Sequence, residues 1–501
     1  MTAGTTHGSR NVILRLQSNH ELCHRTPPRR LRRTSGGYLG RAKAARSARP
    51  LSSADASPPT LGRPAVQSLR RTLSYYDLVI YGIAYVCPFG IFQSLGFVWQ
   101  ASHGLIVLAY VLATICMYFT AKSYALMTEA VPSAGSVYGY ARYALGPFAG
   151  FIGGWMILLD YLLIPAYVYV FMAVALGTLV PQVDRAFWIV ALGLATLGIN
   201  WFGVRVTSRV NLFSVMVQLA VIAVLLILGL AALYHGKGNG ALTLRPLYAP
   251  DLYHLKSIFT ATSICVMSYL GFDAISTLSE EVTSDDRRIV GRAILSVLLI
   301  AAAILAVIAW IFGDLMSGFA IKDPAAATYE VVAWAIGPWA AVLTAWVMAT
   351  VVGVTNALPM QVGVARVMYA MGRDRQLPAV LAKLHPKHGT PYVGMVATTA
   401  ISITVSLLMR YQMDDLVSIV NFGALSGFLL LHVSVIVQFW VKARSGRWIV
   451  HLAVPVAGII VVLAVLSGMS PLAKILGVAW LIGGTAYGGI LTSRRQAELA
   501  I

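Results

Sequence analysis

Two acidic residues sit inside long apolar runs. Asp160 falls in Leu158-Leu159-Asp160-Tyr161-Leu162, and Asp273 in Ser268-Tyr269-Leu270-Gly271-Phe272-Asp273. A charge in mid-membrane costs roughly 2.5–3.5 kcal/mol on insertion scales, so an acid retained there is a functional candidate, and the partner it calls for is a cation. For Asp160 the structural alternative is a hydrogen bond to a helix break near Pro165. A third run, Tyr81 to Phe92, contains Pro88 and Gly90. Proline removes one helical hydrogen bond and clashes with the preceding turn, and glycine beside it makes unwinding easy. The carbonyls freed around Tyr85, Val86 and Cys87 would accept from an ammonium group, and the rings of Tyr85, Phe89, Tyr269 and Phe272 could face it. With 23 Tyr and 17 Phe in the chain, any one of these rings can equally be packing.

Other chemistry is not visible. Cys23, Cys87, Cys116 and Cys265 are scattered with no CxxC spacing, so neither a zinc site nor a disulfide framework is expected. There is no GxxxxGK[ST] loop for ATP, and no Ser/His/Asp or HExxH arrangement stands out within the apolar runs. His432, within an apolar run, reads as a packed or hydrogen-bonded residue. Neither an enzyme nor a cofactor is expected.

The elements that must position these residues are membrane helices. The 501 residues are 58% hydrophobic and 11% charged, with a mean hydropathy of +0.74. One soluble core cannot hide that much apolar surface. Apolar stretches of about 20 residues, the length that crosses ~30 Å of hydrocarbon, recur from Tyr76 almost to the end. Twelve spans are predicted: 76–98, 104–126, 148–178, 186–203, 210–234, 257–281, 292–317, 335–370, 393–410, 416–440, 449–467 and 471–491. The segment Ala325 to Ile336 can be a separate interfacial helix ahead of the eighth. In lipid a broken helix is tolerated only where its freed backbone groups are buried or line a cavity. Breaks near Pro88 and Gly271, five helices apart, fit an inverted repeat with its site at the paired breaks. A packing kink is the alternative reading of Pro88 taken alone.

Charge sets the expected orientation. With the N-terminus inside, internal loops and flanks from Arg70 onward carry 19 Lys/Arg and external loops 7, so both termini are predicted cytoplasmic. The net charge of +19 is concentrated at the start, where residues 1–69 hold 12 Lys/Arg against Glu21 and Asp55. The segment 1–70 has no sustained apolar period and reads as a disordered basic tail against anionic lipid or a product of start-site choice, with a transit peptide as the alternative. No nucleic-acid partner is expected.

Several motifs carry a family resemblance. Glu129-Ala130-Val131-Pro132-Ser133-Ala134-Gly135-Ser136-Val137-Tyr138, Gly271-Phe272-Asp273-Ala274 through Glu280-Glu281, and Arg366 through Asp374 followed by His385-Pro386 and Gly389-Thr390-Pro391 resemble the amino acid, polyamine and organocation transporter superfamily. Within it, Gly82-Ile83-Ala84-Tyr85, Leu158 through Leu162 and Leu270 through Ala274 with Thr277 through Glu281 are most similar to the bacterial putrescine importer branch. The resemblance runs from about Ser74 to the end. It implies an all-α polytopic fold, a ten-helix inverted-repeat core (71–445) with broken first and sixth helices, and two additional C-terminal helices (446–501). It also implies alternating access in a multi-pass bacterial inner-membrane protein.

Amino-acid carriers of this superfamily typically place a Gly-Ser-Gly turn at the first break, whose N–H groups hold the substrate carboxylate. Here Pro88, Phe89 and Gly90 stand there; Pro has no N–H and Phe89 adds bulk. The expected substrate is therefore a small amine such as putrescine or a related polyamine, with an amino acid as the alternative. Glu280 and Glu281, at the C-terminal end of the sixth helix where its dipole disfavours negative charge, are expected to pair with Arg366 as a cytoplasmic gate, or as a static surface pair. Two departures from the family pattern stand out. Gln93 replaces an acid expected of the putrescine importers, and Gln218 occupies a position that is lysine in proton-coupled relatives. The coupling ion expected is a proton, using Asp160, Asp273 or a Glu, with sodium held by Thr355 and Asn356 as the alternative. Direction of transport and oligomeric state stay open.

Overall fold

Residues 73–131, 135–202, 208–373, 375–386 and 389–499 are described by a computed structural model; the expected basic tail, 1–70, lies outside them. The first helix begins where a short polar sequence can satisfy its free N–H groups. Ser74 accepts from the Asp77 amide, and the Asp77 carboxylate accepts from the Ser74 amide at 2.9 Å, a reciprocal cap on α1 (Tyr75–Val86). The helix stops at Cys87, whose φ of 52° is left-handed. Pro88 cannot extend the ladder, and one 3₁₀ turn, Pro88–Gly90, intervenes before α2 (Ile91–Ser102).

No such interruption occurs in α3 (Ile106–Ala130), which lacks proline and glycine. The short α4 (Ser136–Leu145) leads into α5 (Pro147–Leu179), a 33-residue helix that continues through Pro165. Next come α6 (Arg185–Trp201), capped by the Asp184 side chain, and α7 (Ser208–Tyr234). The sixth span then repeats the break. After α8 (Leu255–Cys265) the chain tightens to a 3₁₀ turn, Val266–Tyr269, turns at Gly271 (φ 111°) and resumes as 3₁₀ helix over Phe272–Glu281.

The remaining elements are α9 (Ile289–Met316), α10 (Ala327–Ala335), α11 (Pro338–Trp346), α12 (Gly353–Arg373), α13 (Tyr392–Leu408), α14 (Met413–Val435), α15 (Val454–Gly468) and α16 (Pro471–Leu499). A π-helical turn, Val347–Val352, joins α11 to α12 in one interrupted span. The expected eighth span moves accordingly. It starts at Pro338 rather than 335 because Gly337, at φ 139°, separates it from α10, which stands alone. Among the described residues ten spans are long and apolar enough to cross a membrane, and two shorter apolar helices, Arg185–Trp201 and Tyr392–Leu408, occupy the places of the fourth and ninth expected spans. No strand is formed among them; Leu73 and Val282 make one isolated bridge.

Packing sorts the helices into two groups. In one, α1, α3, α8 and α9 lie against one another together with Phe272–Glu281; in the other, α5, α6, α12 and α13 do. Helix α14 touches both α5 and α3, and the last two helices pack outside it, α15 on α8 and α3, α16 on α14 and α5. The seam between α5 and α16 holds Trp155 and Trp480, stacked at 4.5 Å with each indole N–H donating to the other's carbonyl at 2.9 Å. The end of the bundle at which α1 begins is called the near end below, and the end at which α2 stops the far end.

Candidate functional site

The two breaks touch. A Cβ placed on Gly271 would lie 2.6 Å from the Tyr85 carbonyl oxygen and 3.0 Å from the Val86 nitrogen, so only glycine lets the sixth span lie this close to the end of α1. Both α1 and α8 therefore present C-terminal ends at the breaks, where unpaired carbonyls carry partial negative charge. The opposite, positive end of Phe272–Glu281 is neutralised from within: Asp273 Oδ1 accepts the Gly271 N–H at 3.2 Å. The hydroxyl of Tyr124, on α3, donates to Asp273 Oδ2 at 3.4 Å. That tyrosine is fixed by edge-on rings, with Tyr140 at 6.1 Å, Phe272 at 6.0 Å and Phe428 at 5.9 Å.

Asp160 faces this centre from α5. It is buried, and its Oδ1 has no hydrogen-bond partner among the described residues. Gly423 of α14 packs directly on its backbone, since a Cβ there would fall 2.7 Å from the Asp160 nitrogen. Asp160 and Asp273 lie in each other's field, and the Tyr161 hydroxyl is within range of both and of Tyr85. Two carboxylates in a poorly solvated space repel, and an orphaned buried oxygen is costly. A cation between them relieves both.

The aromatic residues divide. Tyr85 is half-buried. Phe89 is sealed against Phe92 at 4.8 Å, Phe272 packs on Tyr124 and Phe428, and Tyr269 turns its hydroxyl onto Thr114 at 2.6 Å. Val86, Cys87 and Pro88 are buried and Gly90 is half-buried. Position along the helix thus brings all of these to the breaks, but Phe89 and Phe272 pack on neighbouring rings and the Tyr269 hydroxyl is engaged by Thr114 in this conformation.

The expected coupling residues form one chain of hydrogen bonds. Cys87 Sγ donates to Gln218 Oε1 at 3.2 Å, Gln218 Nε2 donates to Ser214 Oγ at 3.0 Å, and Ser214 pairs with Thr355 at 3.2 Å. Thr355 and Asn356 in turn donate to the Val352 carbonyl at 3.3 and 2.8 Å, at the end of the π-helical turn that frees it. The chain runs from the first break through α7 to α12. The side chains named for sodium thus lie beside the break, both donating to backbone carbonyls there.

Among the described residues no ion pair is seen between Arg366 and Glu281. Arg366 and Glu281 both lie within electrostatic range of the Tyr85 hydroxyl. The segment Phe272–Glu281 is 3₁₀ rather than α, with three residues per turn, so its last side chains point elsewhere than an α-helical count places them. Backbone bonds hold that end instead. The Leu73 N–H donates to the Glu281 carbonyl and the Thr283 N–H to the Leu73 carbonyl, each at 3.0 Å.

Residues not singled out from the sequence include Tyr124, Tyr161 and Ser214, which look like ordinary helix positions until their neighbours are known. Asp314 had a readable signal, an acid at the end of a long apolar run. It is fully buried and accepts from Asn239 Nδ2 at 2.6 Å and from the Thr243 N–H and hydroxyl at 2.8 and 2.6 Å, which pins the α7–α8 connection to α9. His432 is bonded, to Ser123 at 2.8 Å and Thr120 at 3.4 Å.

A family model described as amino acid permease matches residues 77–480. The chain is 33% identical over 429 residues to the low-affinity putrescine importer PlaP of Escherichia coli strain K12, covering 84% of this chain and 93% of that one. It is 30% identical over 395 residues to the branched-chain amino acid permease BcaP of Bacillus subtilis, covering 74% and 81%. To a methylthioribose transporter of the same bacterium it is 26% identical over 400 residues, covering 74% and 82%.

Proposed function

The chain belongs to the amino acid permease family, a family of membrane transporters rather than enzymes, and we propose that it imports putrescine or a related polyamine by ion-coupled alternating access. One observation carries the choice of substrate. Two buried carboxylates, Asp160 with an unpartnered oxygen and Asp273, flank half-helix ends that present carbonyls. Such a centre favours positive charge and offers nothing to a carboxylate, because Pro88 lacks an N–H at the one half-helix N-terminus not already filled by Asp273. The relative named as a putrescine importer points the same way.

In this reading both termini are cytoplasmic and the near end faces the cytoplasm. A diamine would enter from the far end, place one ammonium against Asp273 and the Tyr85 carbonyl, and the other against Asp160. Closure of the far side and opening of the near side then release it inward. Each positive charge moving inward gains about 2.3 kcal/mol per 100 mV of membrane potential. A proton taken up by Asp160 or Asp273 would supply coupling, with sodium at Thr355 and Asn356 as the alternative ion. The relative named as a branched-chain permease supports a second reading, an amino-acid carrier of the same fold.

Uptake by proteoliposomes holding the purified protein separates these. Labelled putrescine is expected to enter saturably, and unlabelled putrescine to compete at least tenfold better than leucine or any other zwitterion. The reverse order of inhibition constants would select the amino-acid reading. Imposed proton and sodium gradients, applied separately, identify the coupling ion.

A further inference from the structure

Arg185 is the first residue of α6, at the far end. Its Nη2 lies 2.5 Å from Asp323 Oδ2, and its guanidinium sits 5.3 Å from the centroid of Tyr411, just before α14. Arg410 approaches the same ring at 5.0 Å, so two like charges share one aromatic ring. Asp323 belongs to the connection between α9 and α10, and that connection is shaped by its own carboxylates. Glu330 accepts from the Lys322 and Asp323 N–H groups at 2.9 and 3.2 Å, and Asp323 Oδ1 accepts from the Ala325 N–H at 2.9 Å.

The same connection is pressed onto the half-helix that starts at the first break. The Thr328 hydroxyl donates to the Phe92 carbonyl at 2.5 Å, and a Cβ on Gly96 would fall 2.2 Å from the Pro324 carbonyl oxygen. Residues 319–335 therefore lie directly against α2 on the far side of the break. The pair that ties this connection to α6 is only part-buried, with side chains 22% and 39% exposed, so water can compete for it. Beside it lies a cleft of about 270 Å³ bounded by Val174, Thr178, Asp184, Arg185 and Ala326, which gives the guanidinium room to swing.

We propose that Arg185 is a positioning residue for transport: through Asp323 it holds residues 319–335 as a lid over α2, and its release opens the far side of the paired breaks. The role concerns the lid alone and does not depend on which substrate the centre takes. Arg185 belongs to the α5, α6, α12 and α13 group, whereas α2 continues the span of the other group, so the pair spans the two parts that alternating access moves against each other.

The test uses full-length protein in oriented membranes with Cys87 as the sole cysteine, labelled by a membrane-impermeant thiol reagent from each side in the absence of substrate. Arg185→Gln and Asp323→Asn are each expected to raise far-side labelling of Cys87 three- to tenfold and lower near-side labelling. Arg185→Lys should give an intermediate rate, and the charge-swapped double variant, Arg185→Asp with Asp323→Arg, should return the rate towards that of the unmodified pair. A merely structural contact would lower the melting temperature and leave the sidedness of labelling unchanged. Equal far-side rates in Arg185→Gln, Asp323→Asn and the unmodified pair overturn the proposal, as does a swapped pair that labels like the single variants. Asp323→Asn, which keeps size and shape, carries the test if the arginine variants fail to insert.

Discussion

The first and sixth spans break at matching places by different means. In the sixth, Gly271 takes its left-handed turn without steric penalty, and the turn is fixed by contact, the Tyr85 carbonyl lying against the glycine. In the first, Cys87 takes a left-handed turn while carrying a side chain, a conformation that costs on the order of 1–3 kcal/mol and persists only when neighbours impose it. Here the neighbour is Gln218, and behind it Ser214 and Thr355. The sixth break turns on a glycine, whereas the left-handed residue at the first carries a side chain that is also held from two other helices. A change in α7 or α12 should be felt at the first break and not at the second.

The largest test of that difference is Gly271→Ala. The new Cβ collides with the Tyr85 backbone and takes an unfavourable φ, so transport should fall below detection and the melting temperature should drop; near-normal uptake would show that the breaks do not need this contact. Next is neutralisation of the two acids. Asp273→Asn should weaken amine binding about tenfold, equivalent to ~1.4 kcal/mol, while keeping the Gly271 and Tyr124 bonds in part. Asp160→Asn should discriminate, weakening a diamine more than a monoamine. Calorimetry on both variants checks this, and equal losses for both ligands would remove the separate role given to Asp160.

Smaller effects are expected from the first break itself. Gln218→Leu removes the acceptor that holds Cys87, and should change the labelling rate of Cys87 severalfold with Cys265 unaffected; a parallel change at both would contradict the stated difference. Cys87→Gly, which relieves the left-handed strain but loses the thiol bond, should leave stability within about 1 kcal/mol of the starting protein by thermal unfolding.

Most of the fold could be read in advance because lipid removes alternatives. Backbone groups in hydrocarbon must be satisfied locally, so apolar length alone reports helices such as Ile106–Ala130 and Ile289–Met316 closely. The breaks were legible for the same reason, since Pro88 and Gly271 are the residues that interrupt such a ladder. The candidate site was legible only where chemistry is unusual for its surroundings, as with Asp160 and Asp273. Tyr124 and Ser214 carry no such mark, because a tyrosine or serine becomes a positioning group only through what another helix brings to it. The 3₁₀ winding of Phe272–Glu281, which carries Glu280 and Glu281, is a geometric detail that local composition does not announce.

The backbone bridge between Leu73 and the Glu281–Thr283 segment has a mechanical consequence. Its two main-chain bonds, joined by the Thr283 hydroxyl donating to the Leu73 carbonyl at 3.1 Å, splice the beginning of the first span to the end of the sixth. The splice removes a degree of freedom. In the proposed transport cycle the two half-spans would move together as one lever, and a passage at this end would form between that lever and α5 and α12. Main-chain bonds also survive substitution of the side chains around them, and the linkage can persist while the residues that decorate it drift.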